Sequence, residues 1–347
     1  AAITGGLGPA AYQVRLLSRA LLQIDTRGPF AYDADKGLAR FDVIPNADPK
    51  LPNDVQVTKV PANGKTSSLF SQILELEFDG GPTAGSQPPP VARAGASSGI
   101  KKLHAWTTTP GRYVVAASQE DASEAYGQDL THDQAAARTT LVGAPLYVFQ
   151  DRNALTAGTP QAPATLVTEP GPPRPVRKGQ PALPPKKQLT VSGPGEIKLF
   201  DRETNAFTVT ATWQTSLAQL SDRIGDREQD VFVFTDGARF ADLKADYWLS
   251  GDVLKLWLEA RAPTAPEKDK RTDADNALLG AAGSGPKPSQ VQAVGRVRSH
   301  SAEYDVDDAD QLTVHIADAK PAEPKKDLER PKAPGDAVAQ APLPPPQ

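Results

Sequence analysis

The chain has 347 residues, a formal net charge of −4 and no cysteine, so disulfides, thiolate chemistry and cysteine-ligated zinc are excluded and no basic excess favours nucleic acid. Hydrophobic residues make up 39%, enough for a core, whereas 34 Pro and 27 Gly confine regular structure to islands between loops. No apolar run reaches the about 20 residues of a bilayer-crossing helix, and the start Ala1-Ala2-Ile3, with no Met anywhere, is expected of a processed form or a segment of a longer protein.

Residues 10–24 fit two periods. Val14, Leu17, Leu21 and Ile24 share a helical face, while Val14, Leu16, Leu22 and Ile24 share a strand parity. The reading is a short helix or coil, then a strand over 22–26. In GPFAYDADKGLARFDV, Ala39, Phe41 and Val43 alternate with Arg40 and Asp42 after an Asp-Lys-Gly turn, which predicts a hairpin. Val55 and Val57 continue the alternation, and Phe70, Leu74, Leu76 and Phe78 oppose Glu75 and Glu77. Residues 80–99 shift to Pro, Gly, Ser and Ala, a composition that buries too little apolar surface to offset ordering entropy, and read as a loop insert. Strands are expected at 102–106, 112–117, 123–131 and 140–149. Residues 158–187, with PGPPRP and LPP, read as a Pro-rich insert of extended or polyproline form.

Phe207, Val209, Ala211 and Trp213 then alternate with threonines and Gln214, the most regular strand pattern of the chain, and Thr suits its wet face. Within 230–259, Leu243, Ala245, Tyr247 and Leu249 alternate with polar or ring-bearing partners before Ser250-Gly251-Asp252. Leu254, Leu256 and Leu258 follow, so a hairpin turning at Ser-Gly-Asp is expected. A loop insert covers 262–290. A last hairpin places Ala302, Tyr304 and Val306 before an acidic turn and Leu312, Val314 and Ile316 after it. The expected organisation is a first β part over 1–157, the Pro-rich insert at 158–187, a second β part over 188–318, and a disordered Pro-rich tail at 319–347.

These hairpins share a mark: an apolar residue, a spacer, then a ring that usually precedes Asp. Tyr32, Phe78, His132, Phe200, Tyr247 and Tyr304 carry it at a variable period, as stacked β units with insertions would. One such unit cannot bury its apolar face alone, so successive units must stack. The Asp suits a turn, where its carboxylate bonds backbone N–H groups two residues on.

The segments GPFAYDADKGLARFDVIP, VQVTK with SSLFSQILELEF, and AVGRVRSHSAEYDVDDADQLTVHI resemble the OstA-like repeats of the LptA-type lipopolysaccharide-transport proteins. Their pattern is a strand ending in Ala-x-Tyr-Asp, a short polar turn, and a strand of alternating apolar residues. The resemblance covers most of 22–316 outside the inserts. The long Pro-rich inserts and the chain length depart from the family pattern. It implies an all-β fold, an elongated antiparallel β-jellyroll open along one edge as a V-shaped trough for acyl chains. It also implies a place in the periplasm or cell envelope, with lipopolysaccharide or another amphipathic lipid as ligand.

Catalytic and metal motifs are absent from the pattern. His104, His132, His300 and His315 have no metal-ligand spacing, and His300 and His315 read as outward-facing strand residues. GAAGSGPK at 280–287 contains a proline and lacks a flanking strand and helix, so it is not read as a phosphate loop. DVDDAD at 305–310 lacks the Gly and Glu of a helix-loop-helix calcium site. The inward-parity residues Phe207, Val209, Trp213, Tyr247, Leu254 and Leu256 are either ordinary core or the lining of a lipid trough, because a closed sandwich and an open trough share one alternation. The expectation is a non-catalytic lipid-binding protein with no cofactor. Self-association or pairing with other jellyroll proteins through edge strands is also expected. The alternative is a scaffold of stacked repeats that displays its Pro-rich loops to protein partners.

Overall fold

A computed structural model describes residues 2–4, 12–17, 20–44, 54–61, 64–78, 99–120, 122–150, 152–172, 185–201, 205–224, 227–258 and 288–316. Among these the chain is all strand, turn and bend. The strands are β1 (Ala2–Thr4), β2 (Tyr12–Leu17), β3 (Ala20–Thr26), β4 (Phe30–Asp33), β5 (Leu38–Asp42), β6 (Val55–Pro61), β7 (Ser67–Ser71) and β8 (Ile73–Phe78). Next come β9 (Ile100–Trp106), β10 (Val114–Ser118), β11 (Ser123–Gly127), β12 (Asp129–Asp133), β13 (Arg138–Gly143), β14 (Leu146–Gln150), β15 (Asn153–Ala157) and β16 (Ala164–Pro170). The series ends with β17 (Lys187–Ser192), β18 (Gly195–Asp201), β19 (Ala206–Trp213), β20 (Ser216–Ile224), β21 (Arg227–Asp242), β22 (Tyr247–Leu258), β23 (Pro288–His300) and β24 (Asp305–His315).

All of them join one large antiparallel sheet that does not close into a barrel. Its pairings form two ladders. The first runs β1-β4-β5-β8-β9-β12-β13-β16-β17-β20-β21. The second runs β2-β3-β6-β7-β10-β11-β14-β15-β18-β19-β21. The chain makes a hairpin in one ladder, crosses, and makes the next hairpin in the other. The ladders fuse on β21, whose first half pairs with β20 and whose last residues pair with β19; β22, β23 and β24 then add in succession.

A seam of backbone hydrogen bonds marks the crossings. Val43 N–H bonds Gln72 O (3.1 Å), Gln72 N–H bonds Trp106 O (3.2 Å), Thr107 N–H bonds Gln128 O (2.9 Å) and Gln128 N–H bonds Val142 O (2.7 Å). Further along, Gly193 N–H bonds Thr215 O and Gln214 N–H bonds Asp236 O, both at 2.8 Å. The bend thus leaves its peptide groups satisfied. In β21, β22 and β23 the same seam continues as register shifts at Thr235/Ala238, Ser250/Val253 and Val294/Val297.

Several expectations change here. Residues 12–17 are strand rather than helix or coil, because β2 has β3 to pair with along its length. The runs 123–131 and 140–149 are each two strands, broken at Gln128 and at the cis Ala144-Pro145 bond where the chain changes ladder. Residues 164–170, expected within the Pro-rich insert, form β16 between β13 and β17, and 288–290 belong to β23. The hairpin at 230–259 turns at Leu243–Asp246; Ser250-Gly251-Asp252 is a bulge on the seam, where Asp252 accepts from Arg296 Nε at 2.9 Å. Asp305–Asp310 are strand, and the last turn lies at 301–304. The expected insert positions 80–98, 173–184 and 262–287 and the tail 319–347 lie outside the described residues.

Three hairpin turns follow the Asp rule, whereas Asp305 opens β24 and bonds His300. Asp33 Oδ1 accepts from Asp35 and Lys36 N–H, Asp133 Oδ1 from Ala136 N–H, and Asp242 Oδ1 from Lys244 and Ala245 N–H. Four residues after the Asp, the chain turns left-handed at Gly37 (φ 61°), Ala137 (φ 48°), Asn205 (φ 52°) and Asp246 (φ 48°). Among these described copies the repeat is Asp-x-x-x-left-handed residue, and the copy marked by Tyr247 has its turn Asp at Asp242, ahead of the ring.

Candidate functional site

The register lines up the inward side chains in rows. In the first ladder Phe30, Phe41, Leu74, Ala105, Leu130, Leu141, Leu166, Val191, Leu217, Phe234, Leu254, Ala293 and Leu312 stand side by side, apolar in every strand from β4 to β24 of that series. The next row outward from the seam is apolar at Ala39, Leu76 and Leu103. It turns polar at His132, Thr139 and Thr168, passes through apolar Leu189 and polar Gln219, and is apolar again at Phe232, Leu256 and Val291.

The second ladder has matching rows. Leu69, Ala116, Ala125, Val148, Leu155, Ile197 and Ala211 form the middle one. Ser67, Ser118, Ser123, Gln150 and Asn153 form the row farthest from the seam. Buried residues from both ladders make one core cluster. At β10 and β11, however, the inward positions hold Ala116, Ala125, Ser118 and Ser123, and the first ladder faces them with threonines. The volume that Leu69, Val148 and Leu155 fill on neighbouring strands is left open there.

The result is a cleft of about 360 Å³ between the ladders, on the side away from the seam. Its floor is Ala116, Ala125, Leu130, Leu141, Val148, Leu166 and Leu189; its mouth is Ser67, Ser118, Ser123, Thr139, Thr168, Lys187, Gln188 and Gln219. The Thr139 hydroxyl is tied to His132 Nδ1 at 2.9 Å, which fixes the polar step. No carboxylate lines the cleft. An apolar floor beneath hydroxyls, amides and the Lys187 ammonium accommodates a hydrocarbon segment with a polar end. Among the described residues no group of His, Asp and Glu could hold a metal ion.

The six residues singled out by parity lie elsewhere. Trp213 (1% exposed), Leu254 (0%) and Leu256 (4%) are packed in the core, and Val209 and Tyr247 are half-buried against it. Phe207 is 41% exposed. A register shift at Leu199/Phe200 separates its pairing from that of Val209, and its ring packs edge-on at 5.7 Å against Phe200, under the Arg152 guanidinium. Burial pushes the Tyr247 phenol above its ordinary value. Its hydroxyl has no partner within hydrogen-bond geometry among the described residues, and the Ser299 hydroxyl near it donates to Trp248 O at 3.1 Å.

Of the histidines, His300 is outward as expected, stacked on Trp248 and bonded to Asp305. His104 stacks on Trp106 at 4.3 Å and bonds Asp129 at 2.9 Å. The cleft itself had a sequence signal that parity overlooks: beyond the buried Val114, VVAAS and SEAYG put only Ala, Ser and Gly at inward positions of two consecutive strands. Comparison of the chain with known protein families, curated proteins and solved structures finds no match.

Proposed function

We propose that the chain is a non-catalytic envelope protein of the OstA/LptA-like type that binds or conducts an amphipathic lipid, lipopolysaccharide or a similar molecule, along the space between its two ladders. In this reading the two ladders are the walls of an elongated β-jellyroll, the seam is its closed corner, and the opposite side is its open edge. The observation that carries the reading is the cleft at β10 and β11, with its hydrocarbon floor and polar mouth. Its volume is near the lower end of ordinary ligand pockets, enough for one acyl chain and not several.

Energetics favour carriage over storage. Each buried methylene contributes about 0.8 kcal/mol, while association costs on the order of 4–15 kcal/mol, so a single chain binds weakly and reversibly. Such a ligand can be handed on. Hand-over between protein units would use the sheet ends: β24 pairs only with β23, and β1 and β2 only with β4 and β3, among the described residues. Asp305, Asp307, Asp308 and Asp310 on β24 make that edge acidic, which disfavours two β24 edges meeting and favours a head-to-tail join.

The test places photo-crosslinking residues at Ala125 and at Leu254 in protein expressed in a Gram-negative envelope. Crosslinks to lipid at 125 and none at 254, with lipid retained in native mass spectrometry and lost on Ala125→Leu, are expected. Absence of lipid in both measurements would reject the reading.

A further inference from the structure

A second concavity of about 570 Å³ opens on the rim of the second ladder, and it shares Ser68, Ala117, Ser118 and Ser123 with the lipid cleft. It lies between the tips of the β10-β11 and β14-β15 hairpins, which turn left-handed at Ala122 (φ 47°) and Arg152 (φ 101°). We propose that this pocket binds a saccharide of pyranose type, so that the ligand of the chain is a glycolipid with its sugar on the rim and its hydrocarbon in the cleft. The second half of this inference rests on the lipid reading above; the first does not.

The functional groups are those a polyhydroxylated ring needs, and their neighbours already orient them. Phe149 is 42% exposed, and Tyr126 (5.9 Å, edge-on) and Tyr147 (6.4 Å, stacked) brace its ring. Its exposed surface can receive the C–H face of a sugar. Glu124, directly across the strand pair from Phe149, accepts the Tyr126 hydroxyl on Oε2 at 2.7 Å, which leaves Oε1 to accept a sugar hydroxyl. Gln119 is locked to the start of β7 from both sides: its Oε1 accepts from Thr66 N–H at 3.1 Å and its own N–H bonds Thr66 O at 3.0 Å. The Gln119 NH2 group is therefore left to donate. Ser123 adds a hydroxyl, and Arg152, whose guanidinium sits 5.0 Å over the Phe200 ring, adds a cationic donor.

Charge selects against the other common ligands of such a pocket. A phosphate or a nucleotide would meet the Glu124 carboxylate beside the one guanidinium in the lining, and no cluster of cations is present there to outweigh it. A neutral hydroxylated ring incurs no such repulsion and uses both groups. The order of the groups, apolar floor, serine rim, then carboxylate, amide and aromatic ring outside, follows the order of groups along a glycolipid.

The experiment is calorimetric titration of the full chain with three probes: 1-octanol for the hydrocarbon alone, methyl glycosides for the sugar alone, and octyl glycosides below their micelle concentration for both. The glycosides form a panel of glucose, galactose and mannose. At least one octyl glycoside is expected to bind about tenfold or more tightly than 1-octanol. Glu124→Gln, an exposed substitution that leaves the fold intact, and Phe149→Ala should each remove most of that gain without changing the affinity for 1-octanol. Binding of every octyl glycoside no tighter than 1-octanol, or a gain that survives both substitutions, would overturn the saccharide site while leaving the lipid reading standing. Binding of a methyl glycoside that Phe149→Ala abolishes, with no binding of 1-octanol, would uphold the saccharide site and remove the lipid reading.

Discussion

The middle of the sheet and its C-terminal end use the same alternation and reach opposite results. Around β19 to β24 the inward positions hold large rings and branched chains: Trp213 lies 5.8 Å from Phe234, Phe232 packs beside Phe234, and Leu254 and Leu256 complete a dry core. Around β10 and β11 the equivalent positions hold Ala116, Ala125, Ser118 and Ser123, and the ladders leave a cleft between them. Strand periodicity reports which side chains face inward. Their size decides whether the inside is filled, and the row that faces them decides whether a gap is greasy or wet.

That contrast can be broken most forcefully at Trp213. Its ring covers Gly195, where an added Cβ would stand 2.3 Å from the indole, and its Nε1–H donates to Gly193 O at 2.8 Å. Trp213→Ala should cost about 3–5 kcal/mol in denaturant unfolding, because a fully enclosed ring is replaced by a cavity and the half-buried Gly193 carbonyl loses its donor. A loss under about 1 kcal/mol would mean that the C-terminal end is as open as the middle. The reciprocal change is Ala125→Leu, which adds bulk where the cleft leaves room. Overpacking a filled core costs about 1–3 kcal/mol, so a change smaller than about 1 kcal/mol is expected here, and a larger loss would show that the gap is not space a side chain can take.

The hairpin turns provide a finer comparison, since they sit outside both regions. Ala137 adopts the left-handed conformation that Gly37 occupies in the equivalent turn. Ala137→Gly should raise stability by about 0.5–1 kcal/mol, as relief of strain outweighs the added unfolded-state entropy. Thermal unfolding measures it. The smallest effect is with pH. The Lys36 ammonium holds the Asp33 carboxyl, and the Ala136 N–H holds the Asp133 carboxyl, below the ordinary value of 3.8. A carboxyl with a depressed folded pKa contributes stability that is present above its unfolded pKa and is lost as pH falls through the folded one. Asp133→Asn should therefore flatten the acid limb of a stability profile below about pH 4 and leave neutral pH little changed.

The amino-acid order alone determined the all-β class, the inward parity of residues such as Phe41, Leu74, Leu76, Trp213 and Leu254, and the turn role of Asp33 and Asp133. These depend on neighbours within a few positions, where strand period and side-chain-to-backbone bonding act. The location of the turn near Asp246 was not legible. Ser250-Gly251-Asp252 has turn chemistry but sits on a seam that exists only because β21 and β23 flank it with bulges of their own. Likewise the breaks at Gln128 and Ala144-Pro145 are changes of ladder, set by pairing partners far along the chain. The cleft belongs to the same class: Ala116 and Ala125 become a gap only when the register aligns them with each other and sets Thr139 and Thr168 across the interior. Volume is a property of two facing surfaces, and one strand's sequence specifies only its own side.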